Sequence, residues 1–134
     1  MPVSGGKLLC LDEAHKFMDG VKSDGLSEAI VDVARLMRHD GVRLAVSTQS
    51  PHALAPELLE LVSVAVLHHF HSMDWWTYLQ KKLSLQDAAW ERILALRPGD
   101  ALAFATRHNL TTKNVEGSHI LPIHVRPRIT ADLG

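Results

Sequence analysis

Two adjacent carboxylates, Asp12 and Glu13, follow the apolar run Leu8-Leu9-Cys10-Leu11, and a neutral amide, Gln49, follows a second run, Val42 to Ser47, by way of Thr48. An acid pair of this kind suits phosphoryl transfer. The first acid holds Mg²⁺, usually through water, and the second orients or deprotonates the attacking water. A glutamine beside them can donate to a phosphate oxygen or position water without adding charge, which gives Gln49 the part of a γ-phosphate sensor. A solvated turn and helix start would also put Asp-Glu after a strand, and Gln49 alone can be read as a turn residue before Ser50-Pro51. The spacing of the two features together favours chemistry.

The elements that must position these residues are short. The stretch Leu8–Leu11, bounded by Gly5-Gly6 and the acids, reads as a parallel strand buried on both faces that delivers its acids to the sheet edge where α/β folds bind ligands. Periodicity alone leaves a short buried helix open. Ser23-Asp24-Gly25 supplies loop and capping chemistry. Leu26, Ile30, Val33, Ala34 and Met37 then recur at helical spacing opposite Glu28, Asp32, Arg35 and Arg38, which predicts an amphipathic helix ending before Gly41. Val42–Ser47 is the second strand. Strand, helix and strand in succession imply a right-handed parallel crossover, with both polar ends at one edge of the sheet.

Further along, Pro56–Leu61 predicts a short helix, and the β-branched stretch Val62–Phe70 predicts a third strand of the same sheet. Met73, Trp76, Leu79 and Leu83 share one side of a helix that starts after Ser72, and Ser84 with Asp87 resembles the cap of a second helix running through Ala95. After the turn Arg97-Pro98-Gly99-Asp100, Ala101–Ala105 and Ile120–Val125 read as late strands joined by the polar stretch Arg107–Ser118. Pro122 assigns the last strand to an edge.

With 134 residues, 46% hydrophobic and 22% charged, the chain suffices for one compact core and is short for two typical domains, so residues 1–134 are read as a single domain. A net charge of −1 gives no global attraction to nucleic acid, so DNA contact must come from a local patch or from other subunits. The single cysteine, Cys10, is read as buried and inert within its strand. The first residues lack a signal-peptide pattern, and the longest apolar run, Val62–Leu67 interrupted by Ser63, is far below membrane-spanning length. The expectation is a soluble, intracellular protein, cytoplasmic or nuclear, with no membrane partner.

Leu11-Asp12-Glu13-Ala14-His15-Lys16-Phe17 resembles the Walker B segment of P-loop ATPases, most of all in the HerA/FtsK superfamily of ring-forming, DNA-pumping motors. Ser47-Thr48-Gln49-Ser50-Pro51 resembles that family's sensor segment, and Leu96–Leu102 resembles its late turn and strand. The resemblance runs from about Leu8 to Val125, the second half of a motor domain. It implies an α/β, RecA-like fold with a mainly parallel sheet and flanking helices: a partial P-loop NTPase domain coupling ATP hydrolysis to DNA translocation. It further implies ATP and Mg²⁺ as cofactors. Asp12 would then take the metal through water, Thr48 would lie with Asp12 against the nucleotide, and Glu13 and Gln49 would be catalytic. The implied partners are other ATPase subunits or a Walker A-bearing segment, with DNA reached through the assembled ring. An arginine finger is implied just before the sensor strand, with Arg38 the first candidate, Arg43 the second, and Arg126 and Arg128 weaker ones. Ordinary surface solvation accounts for the same arginines.

DEAH-box helicases share the four letters Asp12–His15 but need a second RecA-like domain, which nothing in the chain resembles. The phosphate cradle G-x-x-x-x-G-K-[ST] is only imitated by Ser4-Gly5-Gly6-Lys7-Leu8: no Ser/Thr follows Lys7 and no glycine stands five residues before Gly6. Lys7 is therefore read as a strand-start lysine, and the isolated chain is expected to hydrolyse almost no ATP. The alternative class is a non-catalytic interaction module, a shortened paralogue docking on a complete motor. His68, His69 and His71 invite a metal reading, but alternation sends the first two to opposite faces and no cysteine joins them. Trp75-Trp76 suits a base-stacking platform or core packing, and the absence of nearby basic clustering favours the core.

Overall fold

The computed structural model describes residues 6–16, 18, 24–105 and 120–129, with all their side chains except those of Asp24, Arg38 and Asp40. The first polar strand end is built by β1 (Lys7–Leu11) and β2 (Val42–Val46), paired in parallel from Lys7↔Val42 to Leu11↔Val46. Between them runs α1 (Asp24–Asp40), which packs on β2. Of the stripe that the spacing predicts, Ile30 and Ala34 are buried, Val33 and Met37 are half-buried and Leu26 is exposed, and Val31, outside that stripe, is buried with them. Gly41 stops it at φ +64°, a left-handed value that glycine adopts without a Cβ clash, and the Gly41 carbonyl accepts the Lys7 amide at 3.0 Å. One residue thus ends the helix and opens the ladder.

Along β2, half-buried Val42, Leu44 and Val46 alternate with exposed Arg43 and Ala45. Cys10 lies in register with Ala45 and shares that exposed face, and Leu8 beside it is 66% exposed. The expectation of a β1 buried on both faces, with an inert Cys10 inside it, is therefore not met. In this unit α1 covers the face carrying Leu44 and Val46, and among the described residues the opposite face stays open. A 3₁₀ turn at Pro51–Ala53 and α2 (Pro56–Leu61) complete the unit, with Leu54, Leu58 and Leu59 buried.

Contacts group the chain into two compact units, Met1–Leu61 and Val62–Gly134, although composition marks no boundary there. The second unit holds β3 (Val64–His68), α3 (Met73–Leu83), α4 (Ala88–Leu94), β4 (Asp100–Ala105) and β5 (Ile120–His124). Its sheet is antiparallel in the order β3-β4-β5. The third strand expected in the parallel sheet instead pairs with β4, from Val64↔Ala105 to His68↔Ala101. β-Branched composition marks a strand but does not choose its neighbour. The neighbour is set by β4, whose buried Ala101, Leu102 and Phe104 make it the central strand. Pro122 lies on the edge strand β5, as its missing N–H requires.

The core of this unit is aromatic and aliphatic. Trp76 stacks on Trp90 with ring centroids 5.4 Å apart, and Phe70 approaches Trp90 and Trp75 at 5.8 and 6.0 Å. Ile93 and Leu102 are fully enclosed. Trp76 is thus a core residue and Trp75 packs beside Phe70, in line with the core reading of the pair. Ser72 caps α3 by accepting the Trp75 amide at 3.2 Å. Ser84 corrects the sequence reading: it ends α3 in the left-handed region, φ +55°, with its N–H on the Gln80 carbonyl, and does not begin α4. Asp87 stands at the start of α4, but its carboxylate takes the Gln80 amide and leaves the helix uncapped. The whole is a mixed α/β fold with a parallel sheet and flanking helices.

Candidate functional site

The parallel ladder continues one residue beyond β1 and β2. Ser47 N donates to the Leu11 carbonyl at 2.9 Å, and Ala14 N donates to the Ser47 carbonyl at 2.9 Å. Asp12 is thereby set against Ser47. The Ser47 hydroxyl donates to Asp12 Oδ1, and the Glu13 N–H is shared between Asp12 Oδ1 at 3.0 Å and Ser47 Oγ at 3.2 Å. These bonds hold the chain in a sharp turn, with Glu13 at φ +50°. For a residue with a Cβ that conformation costs about 1–3 kcal/mol and persists only where surroundings impose it. The 3₁₀ turn Ala14–Lys16, anchored by the fully buried Ala14, imposes it from the other side.

From that turn the Glu13 carboxylate meets the second strand end. Its Oε1 accepts the Gln49 side-chain amide at 3.4 Å, and its Oε2 pairs with the exposed ammonium of Lys16. His15 reaches the same segment: its Nδ1 accepts the Gln49 backbone N–H at 3.3 Å and lies 3.4 Å from Thr48 Oγ1. Thr48 Oγ1 also accepts the Ser50 N–H at 3.1 Å and contacts the Ser50 carbonyl at 3.0 Å, closing the turn that leads into Pro51. The result is a solvent-facing cluster of two carboxylates, two hydroxyls, an amide and an imidazole, all carried by two adjacent strand ends.

Asp12, Glu13, Thr48 and Gln49, the four strand-end candidates, are therefore brought together. The side chain of Arg38 lies outside the described ones; its backbone is in the last turns of α1. Arg43 is exposed on β2 and its guanidinium contacts the Val42 carbonyl at 3.3 Å. Arg126 and Arg128 are exposed residues of the second unit. Lys7 opens β1, as a strand-start lysine does. The rings of His69 and His71 are 6.4 Å apart, and no group of three metal-ligating side chains occurs among the described residues. Residues 1–5 and the joining stretch 107–118 lie outside the described residues.

Sequence reasoning assigned no role to Ser47 or His15. For Ser47 the signal was available: with Leu11 opposite Val46, the next pair in a parallel register is Asp12 with Ser47. His15 had no such signal, because its approach to Gln49 depends on a 3₁₀ turn that periodicity does not disclose.

The donor set fits Mg²⁺. A carboxylate oxygen is the hard ligand this ion takes, and Asp12 Oδ2 makes no hydrogen bond among the described residues while Oδ1 is tied down by Ser47. A separate cleft of about 520 Å³ lies between α1 and the segment from His52 to Glu57, lined in part by Glu28, Asp32 and Arg35. None of the clustered strand-end residues lines it.

No family model and no curated protein sequence matches the chain. Among solved structures, the chain is similar to the genome packaging NTPase B204 from Sulfolobus turreted icosahedral virus 2. In complex with AMPPCP the TM-score is 0.70 at 18% identity, and with ATP-gammaS it is 0.69 at 20% identity. The crystal structure of B204, the DNA-packaging ATPase from Sulfolobus Turreted Icosahedral Virus, gives a TM-score of 0.69 at 19% identity. Each match covers 92% of this chain and 54% of the other, so the chain spans about half the length of the proteins it resembles. At these identities the likeness is one of fold alone. No described helix is long and apolar enough to cross a membrane.

Proposed function

We propose that the chain is the Walker B and sensor half of a HerA/FtsK-like motor ATPase, working in a multi-subunit assembly that moves DNA. The observation that carries this reading is the meeting of the two strand ends: the Gln49 amide stands 3.4 Å from a Glu13 carboxylate that adjoins Asp12. The fold shared with the B204 packaging NTPases supports it.

In this reading Asp12 would hold Mg²⁺ and Thr48 would shape the turn against the nucleotide. Bound Mg²⁺ supplies positive charge to the phosphates. Glu13 accepts a hydrogen bond from the attacking water, and Gln49, already aimed at Glu13, donates to a phosphate oxygen. Each carboxylate oxygen accepts more than one hydrogen bond, so Glu13 can receive the water beside its contacts with Gln49 and the exposed Lys16. Arg38 acts across a subunit interface as the arginine finger.

The test joins the chain to a segment carrying a phosphate-binding loop. Glu13→Gln should then retain nucleotide and lose turnover, and unchanged turnover rejects the assignment. The chain by itself should hydrolyse almost no ATP. Arg38→Ala subunits mixed with Glu13→Gln subunits should recover part of the lost turnover, because one kind of interface regains both groups.

The sequence offers one observation for a second reading: no complete phosphate-binding loop occurs in these 134 residues. A non-catalytic module docking on a complete motor would keep the strand ends without turnover. Failure of every joined form to bind nucleotide would favour it.

A further inference from the structure

Of the strand-end cluster, the reading above leaves Ser47 and His15 unused, and the Ser47 hydroxyl is already committed to Asp12. The half-buried His15 ring stands on the 3₁₀ turn directly after the left-handed Glu13, and it faces the backbone of the other strand end. A backbone N–H can only donate, so the 3.3 Å contact from Gln49 N makes Nδ1 the acceptor and puts the ring proton on Nε2. The Thr48 hydroxyl lies 3.4 Å from the same nitrogen.

Gln49 is consequently gripped at two points by the segment that follows β1: its main chain by His15 and its side chain by Glu13. The side-chain grip alone leaves the Gln49 backbone N–H without a partner on the first strand end, and the imidazole supplies that partner.

We infer that His15 is a positioning residue that seats Gln49 against Glu13 by accepting the Gln49 backbone N–H. The proposal rests on the ATPase reading for its consequence, but its geometric content stands apart from turnover. A sensor amide displaced by about 1 Å can lose on the order of 10²-fold in rate.

The test uses the 134-residue chain first. In alkaline buffer, long-range proton–nitrogen spectra of the unmodified chain should show the ring proton on Nε2, and a proton on Nδ1 overturns the proposal without any variant. Gln49 amide exchange with solvent should quicken about tenfold in His15→Ala, the loss expected for one hydrogen bond worth about 1.4 kcal/mol. His15→Asn, which offers an acceptor oxygen in place of Nδ1, should restore slow exchange. Unchanged Gln49 exchange in His15→Ala, or no restoration by His15→Asn while the chain melts at its usual temperature, also overturns it.

In the chain joined to a phosphate-loop segment, His15→Ala should lower kcat by at least tenfold with KM for ATP within twofold, and His15→Asn should recover most of it. If the joined, unmodified protein shows no turnover at all, the ATPase reading fails, and the spectra and exchange rates still decide the role of His15.

Discussion

The turn that carries Glu13 and the turn that carries Gly99 solve one backbone problem with opposite residues. Each has a positive φ, +50° at Glu13 and +89° at Gly99, and each lies next to an aspartate held across the strands. At the second turn the aspartate is Asp100, whose Oδ1 accepts His124 Nδ1–H at 2.7 Å, and the two residues are direct register partners on β4 and β5. Position 99 has to bend, to leave room for the His124 ring and to offer its carbonyl to the Val125 N–H at 2.7 Å, and glycine does this without strain. At the first turn a glutamate is kept where glycine would be cheaper, and its carboxylate is the group that reaches Gln49. Backbone strain at a residue with a Cβ points to a role for its side chain, the one proposed above for Glu13, whereas on glycine the same geometry carries no strain.

The comparison breaks first on activity. In the chain joined to a phosphate-loop segment, Glu13→Gln should lower turnover by about 10²–10⁴-fold, the range of a lost general base, while Asp100→Asn leaves turnover within twofold. Equal losses in a steady-state ATPase assay would erase the distinction between the turns.

Stability gives the next largest effect. Gly99→Ala should destabilise the chain by about 1–3 kcal/mol in chemical denaturation, since alanine is strained at that φ and its Cβ would stand 3.2 Å from His124 Cε1. Glu13→Gly should change stability by no more than about 1 kcal/mol, because relief of the left-handed strain offsets the greater freedom of glycine in the unfolded chain. A loss beyond about 2 kcal/mol on Glu13→Gly would show that Glu13 is held for the fold and not for its carboxylate.

The smallest effect is a dependence on acid. The hydrogen bond from His124 holds the Asp100 carboxyl below its ordinary value of 3.8, with desolvation opposing and the charge of His124 and then Arg97 assisting. A carboxyl depressed in the folded state contributes stability that is fully present above its unfolded value and is lost as pH falls through the folded one. Asp100→Asn should therefore lower the melting temperature slightly at neutral pH, where this stabilisation is present, and flatten the acid limb below about pH 4, where the two proteins converge. An acid limb of undiminished slope would remove Asp100 from the account.

Much of the candidate site was legible because parallel pairing translates sequence spacing into contact. Apolar runs ending at Leu11 and Val46, joined by one amphipathic helix that Gly41 ends, bring Asp12 and Glu13 to Thr48 and Gln49 with little freedom left. Ser84 shows the limit of local signals: a serine three residues before an aspartate fits a helix start, yet the backbone of α3 claims it first as a left-handed end.

Residue type and spacing by themselves determined the acids and the amide, the helix that joins their strands, the edge position of Pro122 and the core role of Trp76. Those properties follow from hydrophobic period, turn chemistry and missing donors, which act over a few residues. Tertiary structure alone decided that β3 turns antiparallel onto β4, that Leu8 and Cys10 stand exposed, that Glu13 is left-handed and that His15 takes the Gln49 amide. Each of these depends on which surface arrives opposite a residue, and a strand or a turn carries no record of that partner within its own sequence.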